Sequence, residues 1–311
     1  MFKKLRRIAR KKWQALYNAC FNKPIGEVYM FHRVLPANGT LAVIDELRVS
    51  PEFFKQFLMS KQDKIQFVCL DDAVDIIKGN KKITKPFGVI TFDDGYEDNY
   101  TYAYPILKEL GIPFTVYVSV DLVNDQVPIW NYPLLIEKIV RKNDELVLGN
   151  GKSLNSKSVT EKNAAFLHLK SWLLSLPYSN LHEEFVGAFR DYLTDDVFEV
   201  NTLTWEQIQD IANDPLCTIG SHTMSHCRLA IEDPDVLLYE LNNSKDILSE
   251  QIGKSVEHLS YPYGWITDVS NEAAEMTKRV GYKSAFHSFG GPIREKDKDL
   301  YHLKRIMVNE Q

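Results

Sequence analysis

Apolar residues follow two rhythms along this chain. Glu27-Val28-Tyr29-Met30-Phe31 reads as a strand, the β-branched run Val89-Ile90-Thr91-Phe92 as a strand buried on both faces, and Phe114-Thr115-Val116-Tyr117-Val118-Ser119-Val120 as another buried strand. Between them lie amphipathic stretches with helix punctuation. Ser50 and Pro51 form a start signal, Thr204 and Gln207 form a capping box, and Asp233-Pro234 opens a long segment ending near Gly253. Glu97 to Leu110 predicts a helix stopped by Gly111, and another predicted helix runs to about Arg279, before Gly281. Ile65 to Leu70 reads as a strand, with Asp71 or Asp72 capping the helix after it. Further strands are expected at Cys217–Gly220, His258–Tyr261, Tyr282–Phe286 and Leu303–Val308. Strands alternating with helices predict an α/β fold with a parallel sheet or barrel. The alternation breaks between about 127 and 200, where Phe166, Leu167, Leu169, Trp172, Leu173 and Leu174 point to an inserted helical subdomain with few strand runs.

Composition adds little until charge is divided along the chain. The 311 residues are 44% hydrophobic and 25% charged, an ordinary globular mixture. No run approaches the ~20 apolar residues of a membrane span. Lys3, Lys4, Arg6, Arg7, Arg10, Lys11 and Lys12 crowd the start, and removing those seven charges from the net −5 leaves the remainder at −12. An acidic body argues against nucleic acid as a partner. Phe2, Leu5, Ile8, Trp13, Leu16, Tyr17 and Cys20 share one helical face, so residues 1–25 read as a basic amphipathic helix. Residues 1–21 can lie on an anionic membrane surface, or the stripe can dock on the rest of the chain. No apolar segment or cleavage site of an export signal follows. Cys20, Cys69, Cys217 and Cys227 show no CxxC pairing and read as reduced thiols. The expected location is cytoplasmic, with peripheral contact at the inner membrane face as the option that residues 1–21 open.

Candidate chemistry starts at Asp93-Asp94-Gly95, two acids at the tip of a buried strand. An isolated Asp-Asp-Gly reads as a turn. Buried carboxylates, however, need a cation or a reaction that uses them. Neighbouring residues on a strand point opposite ways, so the two acids divide into separate tasks. His222-Thr223-Met224-Ser225-His226 sets two imidazoles four apart, spaced for one metal ion or for a surface pair. Position raises the metal reading. Asp93, Asp94, His222, His226, Tyr263 and His32 each follow a predicted strand, and in parallel barrels those ends converge on one face. Two imidazoles and one carboxylate leave a coordination position open, the mark of a catalytic site.

With these motifs the chain resembles the polysaccharide deacetylases of carbohydrate esterase family 4, which share a NodB homology domain. Thr91-Phe92-Asp93-Asp94-Gly95, His222-Thr223-Met224-Ser225-His226 and Tyr261-Pro262-Tyr263-Gly264 carry the likeness. Tyr29-Met30-Phe31-His32-Arg33-Val34 and Leu303-Lys304-Arg305-Ile306 extend it over residues 26–310. The resemblance implies a distorted (β/α) barrel of about seven parallel strands over 26–311, interrupted by the helical insertion at about 127–200. It implies a divalent metal, zinc being the usual ion, on Asp94, His222 and His226. Asp93 would be the general base, and the Tyr263 backbone N–H would stabilise the oxyanion. The implied activity is removal of N-acetyl groups from an amino sugar of a surface polysaccharide or its lipid-linked precursor.

The chain departs from that pattern in two places. Ser260 stands where many members have an arginine, and Arg305 is the candidate replacement that orients Asp93. The histidine that supplies the general acid is displaced, and His32 is the candidate, with His287 and His302 as competitors. These departures leave an alternative, a non-catalytic carbohydrate-binding protein on a degenerate scaffold. Glu97 and Asp98 read as ordinary acids at a helix start. Tyr100, Tyr102 and Tyr104, like Trp130, Tyr132 and Trp172, read as packing aromatics more than sugar platforms.

Overall fold

The computed structural model describes residues 23–36, 47–124, 132–176, 178–194 and 202–310. Seven strands form the frame: β1 (Pro24–Phe31), β2 (Phe87–Phe92), β3 (Phe114–Val118), β4 (Cys217–Ser221), β5 (His258–Ser260), β6 (Ser284–Gly290) and β7 (Leu303–Met307). Each pairs in parallel with the next, and β1 closes the ring by pairing with both β2 and β7. The result is the expected distorted (β/α) barrel. Gln66–Phe67 adds outside β2, and Ile293–Arg294 adds antiparallel to β1.

Helices cover the outside: α1 (Pro51–Gln62), α2 (Leu70–Lys78), α3 (Tyr104–Leu110), α7 (Trp205–Asn213), α8 (Pro234–Ile252) and α9 (Asn271–Val280). Helices α4 (Tyr132–Lys142), α5 (Val159–Leu173) and α6 (Tyr178–Phe189) belong to the insertion between β3 and β4. Every residue of β2 is buried, because each face meets a separate core. Ile90 and Phe92 join the outer layer with Phe31, Phe54 and Phe114, whereas Val89 joins an inner cluster with Val28, Tyr117 and Phe286. The inner set therefore continues through Thr91 to Asp93, which fixes the direction in which Asp93 points.

The punctuation works largely as the sequence predicts. The Ser50 hydroxyl accepts from Phe53 N–H, Thr204 and Gln207 complete a capping box, and Gly111, Gly253 and Gly281 end their helices in left-handed conformations. Some expectations need correction. The apolar run at 65–70 splits, giving a two-residue strand at Gln66–Phe67 and then α2 starting at Leu70. Cys69 occupies the cap position of α2 with no side-chain bond, so neither Asp71 nor Asp72 caps it. The helix expected over 97–110 begins as a widened π turn at Asn99–Ala103, since Asp98 and Asn99 face tertiary partners across the fold. The insertion is helical but also holds an antiparallel pair, Glu145–Val147 with Ser153–Asn155. Its core is its own, built on Leu135, Ile136, Phe166, Leu169, Phe185 and Phe189. Trp172 packs edge-on against Phe189, consistent with burial, while Trp130 lies outside the described residues. So does the basic stretch 1–21, together with Cys20. Cys69, Cys217 and Cys227 are free thiols. No described helix is long and apolar enough to cross a membrane.

Candidate active site

The site sits where the carboxyl ends of β1, β2, β4 and β5 meet. Asp93 N–H donates to Phe31 carbonyl (3.0 Å), His222 N–H to Val118 carbonyl (2.8 Å) and Tyr261 N–H to Phe286 carbonyl (3.0 Å). Each motif is thus tied to the barrel at its first residue. Beyond those anchors the backbone turns sharply. Asp94, Thr223, His226 and Tyr263 have φ of 78°, 67°, 56° and 59°, and they are the non-glycine residues with positive φ among those described. Such conformations cost on the order of 1–3 kcal/mol each and persist only where neighbours enforce them. The histidine pair therefore sits in a strained loop.

Asp94, His222 and His226 converge. Asp94 Oδ1 lies 3.3 Å from His222 Nε2 and 3.5 Å from His226 Nε2, and one ligand atom from each residue falls within 4.8 Å of the others. All three are buried. His222 Nδ1 lies 2.7 Å from the Ser260 carbonyl, which can only accept, so that nitrogen carries the hydrogen and Nε2 faces Asp94. Tyr96 hydroxyl hydrogen-bonds the Asp94 carboxylate, while Oδ1 itself is buried without a hydrogen bond. Burial and then the neighbouring His222 push the His226 imidazole down to about 3, leaving it neutral and able to ligate. Burial lowers His222 as well, but the charges of Asp93 and Asp94 outweigh it and raise this imidazole. The same histidines, with His32, overcome burial to hold Asp94 below the usual carboxylate range. Asp94 Oδ1, buried without a hydrogen bond and facing Nε2 of both imidazoles, completes a donor set that a divalent cation fits.

Asp93 stands apart from that triad. Arg305, fully buried in mid-β7, donates from Nη1 to Asp93 Oδ1 and from Nη2 to Oδ2, both at 2.6 Å. The guanidinium is held by the His287 carbonyl (2.9 Å), Thr91 Oγ1 (3.2 Å) and Ser260 Oγ (2.7 Å). Ser260 Oγ also donates to Asp93 Oδ2 at 3.2 Å. The serine that breaks the family pattern thus belongs to the network around Asp93. Burial raises Asp93, and the charge of Arg305, then that of His222, reverses this, so Asp93 is ionised.

The candidate acids separate. His32 follows β1, is half-buried, and its charge acts on Asp93, Asp94 and His226. His287 instead uses Nδ1 on the Gly264 carbonyl (3.1 Å) and Nε2 on His302 Nδ1 (3.0 Å), so the competitors pair with each other. The Tyr263 ring lies 4.7 Å from that of His226, and among the described residues its backbone N–H has no protein acceptor.

A family model described as polysaccharide deacetylase matches residues 80–285, well over half of the chain. The chain belongs to the polysaccharide deacetylase family. YxkH of Bacillus subtilis (strain 168) is 23% identical over 283 residues, which is 91% of this chain and 71% of that protein. Two solved structures share the fold. Streptococcus pyogenes deacetylase PplD in complex with acetate superposes with TM-score 0.60 at 19% identity, covering 92% of this chain and 93% of that one. IcaB from Ammonifex degensii gives 0.58 at 18% identity, covering 92% of each.

Other residues of this polysaccharide deacetylase family member support the site without a signal in the sequence. Glu240 of α8, buried, accepts from Met224 N–H and Ser225 N–H (both 3.0 Å) and from Ser225 Oγ (2.6 Å), cradling the loop between the two histidines. Asp98 is no ordinary helix-start acid: it pairs with Arg33 Nε (2.8 Å) and accepts from Val34 N–H (2.7 Å). Asn99 Nδ2 donates to the His32 carbonyl at 2.9 Å, so both residues fix the turn that carries His32. Tyr100 and Tyr104 donate their hydroxyls to Asp210 and Asp214, in keeping with a packing role.

Proposed function

We propose that this site hydrolyses the N-acetyl group of an amino sugar in a surface polysaccharide or its lipid-linked precursor, with a divalent metal ion, expected to be zinc. One observation carries the proposal. Asp94, His222 and His226 share a buried cation pocket, while the adjacent Asp93 is ionised, paired with Arg305 and free of that triad. A protein that only binds sugar has no use for a second buried carboxylate held ionised beside that cluster. Acetate in the PplD complex is the acid that deacetylation releases.

Asp94, His222 and His226 would hold the ion, which when bound polarises the amide carbonyl and makes water more acidic. Asp93 accepts the proton of the attacking water, and Arg305 keeps its two oxygens in place. The water oxygen forms the new bond to the carbonyl carbon. The Tyr263 N–H donates to the oxygen that gains charge. His32 then protonates the sugar nitrogen as the C–N bond breaks, releasing acetate and the free amine. The basic residues 1–21 support action on a lipid-linked sugar at an anionic membrane face. Loss of vesicle binding in a chain lacking them would be expected; unchanged binding overturns that part.

The decisive experiment is acetate release from a panel of N-acetyl sugars. Asp94→Ala and His222→Ala should lose metal and at least roughly a thousandfold in rate, the scale of several kcal/mol of Lewis-acid stabilisation. Chelation should abolish turnover and zinc restore it. Full turnover in either variant overturns the proposal.

A further inference from the structure

Next to the catalytic loop the chain displays apolar surface that the hydrolysis itself does not use. Trp265 is 61% exposed and Ile266 75% exposed, immediately after Tyr263 and Gly264. An exposed indole alone would mean little. This one is held in place from three sides. Its backbone N–H donates to Asp268 Oδ2 (3.0 Å), and its carbonyl accepts from Asp268 N–H (2.9 Å). Asp268 is itself buried and paired with Arg228 Nε at 2.6 Å, two residues beyond His226. The indole lies flat on Phe289, with ring centroids 5.3 Å apart and 10° between planes. Gly264 sits at φ 67°, and a Cβ there would lie 2.6 Å from Ser288 N, so the chain is pressed onto β6 at that point.

Phe289 covers one face of the indole and fixes how the other is presented. The Trp265 Cα lies at most about 7 Å from that of Tyr263, two residues of extended chain, and Tyr263 touches His226. The aromatic plane is therefore carried on the same short turn as Tyr263, whose ring meets His226. The π face is the negative side of the ring, and the axial C–H groups of a pyranose offer it a weakly positive, apolar surface. A fixed plane loses little conformational entropy when a ring settles on it.

Building on the deacetylase reading, we propose that Trp265 is a stacking subsite for a sugar residue adjoining the one that is deacetylated, which makes the enzyme selective for oligosaccharides over the monosaccharide. The flat, backed orientation favours a sugar ring over a lipid, because insertion into a bilayer needs protruding apolar bulk and no particular plane.

The test compares wild type, Trp265→Ala and Trp265→Phe on β-linked N-acetylglucosamine oligomers from the monosaccharide to the pentasaccharide. In wild type KM should fall with chain length. In Trp265→Ala that fall should be lost, with KM for long oligomers raised roughly tenfold, whereas Trp265→Phe should keep part of it. Calorimetric titration of pentasaccharide into Asp93→Asn and Asp93→Asn/Trp265→Ala proteins separates the two readings. Trp265-dependent binding without wild-type turnover overturns the deacetylase reading and keeps the subsite. Turnover with equal KM profiles and equal binding overturns the subsite. Loss of vesicle partition in Trp265→Ala with unchanged saccharide KM also overturns it, in favour of membrane contact.

Discussion

The barrel mouth and the helical insertion are stabilised in opposite ways. The insertion encloses Leu135, Phe166, Leu169, Phe185 and Phe189 in an apolar core, and α5 starts with a complete Ser158–Glu161 capping box. Among the described residues it contains no non-glycine residue with positive φ. At the mouth, Asp93, Asp94, Asp98, His222, His226 and Arg305 are buried together, and four residues hold left-handed conformations. Local preferences suffice for the first region. In the second, conformations and charges that are unfavourable alone are held by the barrel, α8 and the Asp98 contacts. Chemistry collects where such groups are forced to meet.

Three changes would sharpen that contrast. The largest effect is expected for Arg305→Met, which leaves Asp93 buried without its partner and should lower stability by about 3–5 kcal/mol. Urea unfolding checks it, and Arg305→Met/Asp93→Asn should recover part of the loss while acetate release stays abolished. Equal instability of the single and double variants would mean that the arginine matters for packing and not for charge.

Leu169→Ala, inside the insertion, should cost about 2–5 kcal/mol through lost burial and a residual cavity. Because that core is separate from the barrel layers, metal content and the pH profile of acetate release should match wild type. Altered metal binding would show that the two regions are coupled.

The smallest effect lies at the edge of the mouth. Burial, then Glu240 and Asp233, push Glu232 up to about 7 from 4.5. An acid raised in the folded state favours folding while protonated. Its contribution is complete below about pH 4.5 and is lost as pH rises through about 7. Glu232→Gln should flatten the dependence of thermal stability on pH across that window. The change should stay below about 1 kcal/mol, since the side chain is half-exposed and screened. An unchanged slope would remove Glu232 as its source.

Much of this architecture was legible because it is written in local terms. Continuous apolar runs marked the barrel strands, glycines marked the ends of α3, α8 and α9, and Ser50, Thr204 and Pro234 marked helix starts. The placement of Asp93, Asp94, His222, His226 and Tyr263 after strands was enough to bring them to one face, because parallel strands share a direction. The sequence also marked Arg305 as a partner for Asp93, through the missing arginine at Ser260. It could not mark Glu240, Asp98 or Tyr96, whose roles arise only when α8 and the β1 and β2 turns approach. Nor could it separate His32 from His287 and His302, since only packing turns those two rings toward each other. The left-handed turn at Thr223 was equally hidden, as a β-branched residue disfavours it. A sequence states each residue's own preference over a few neighbours. Arg305 and Asp93 meet from 212 positions apart, so what binds them is the closing of the barrel, which no local preference contains.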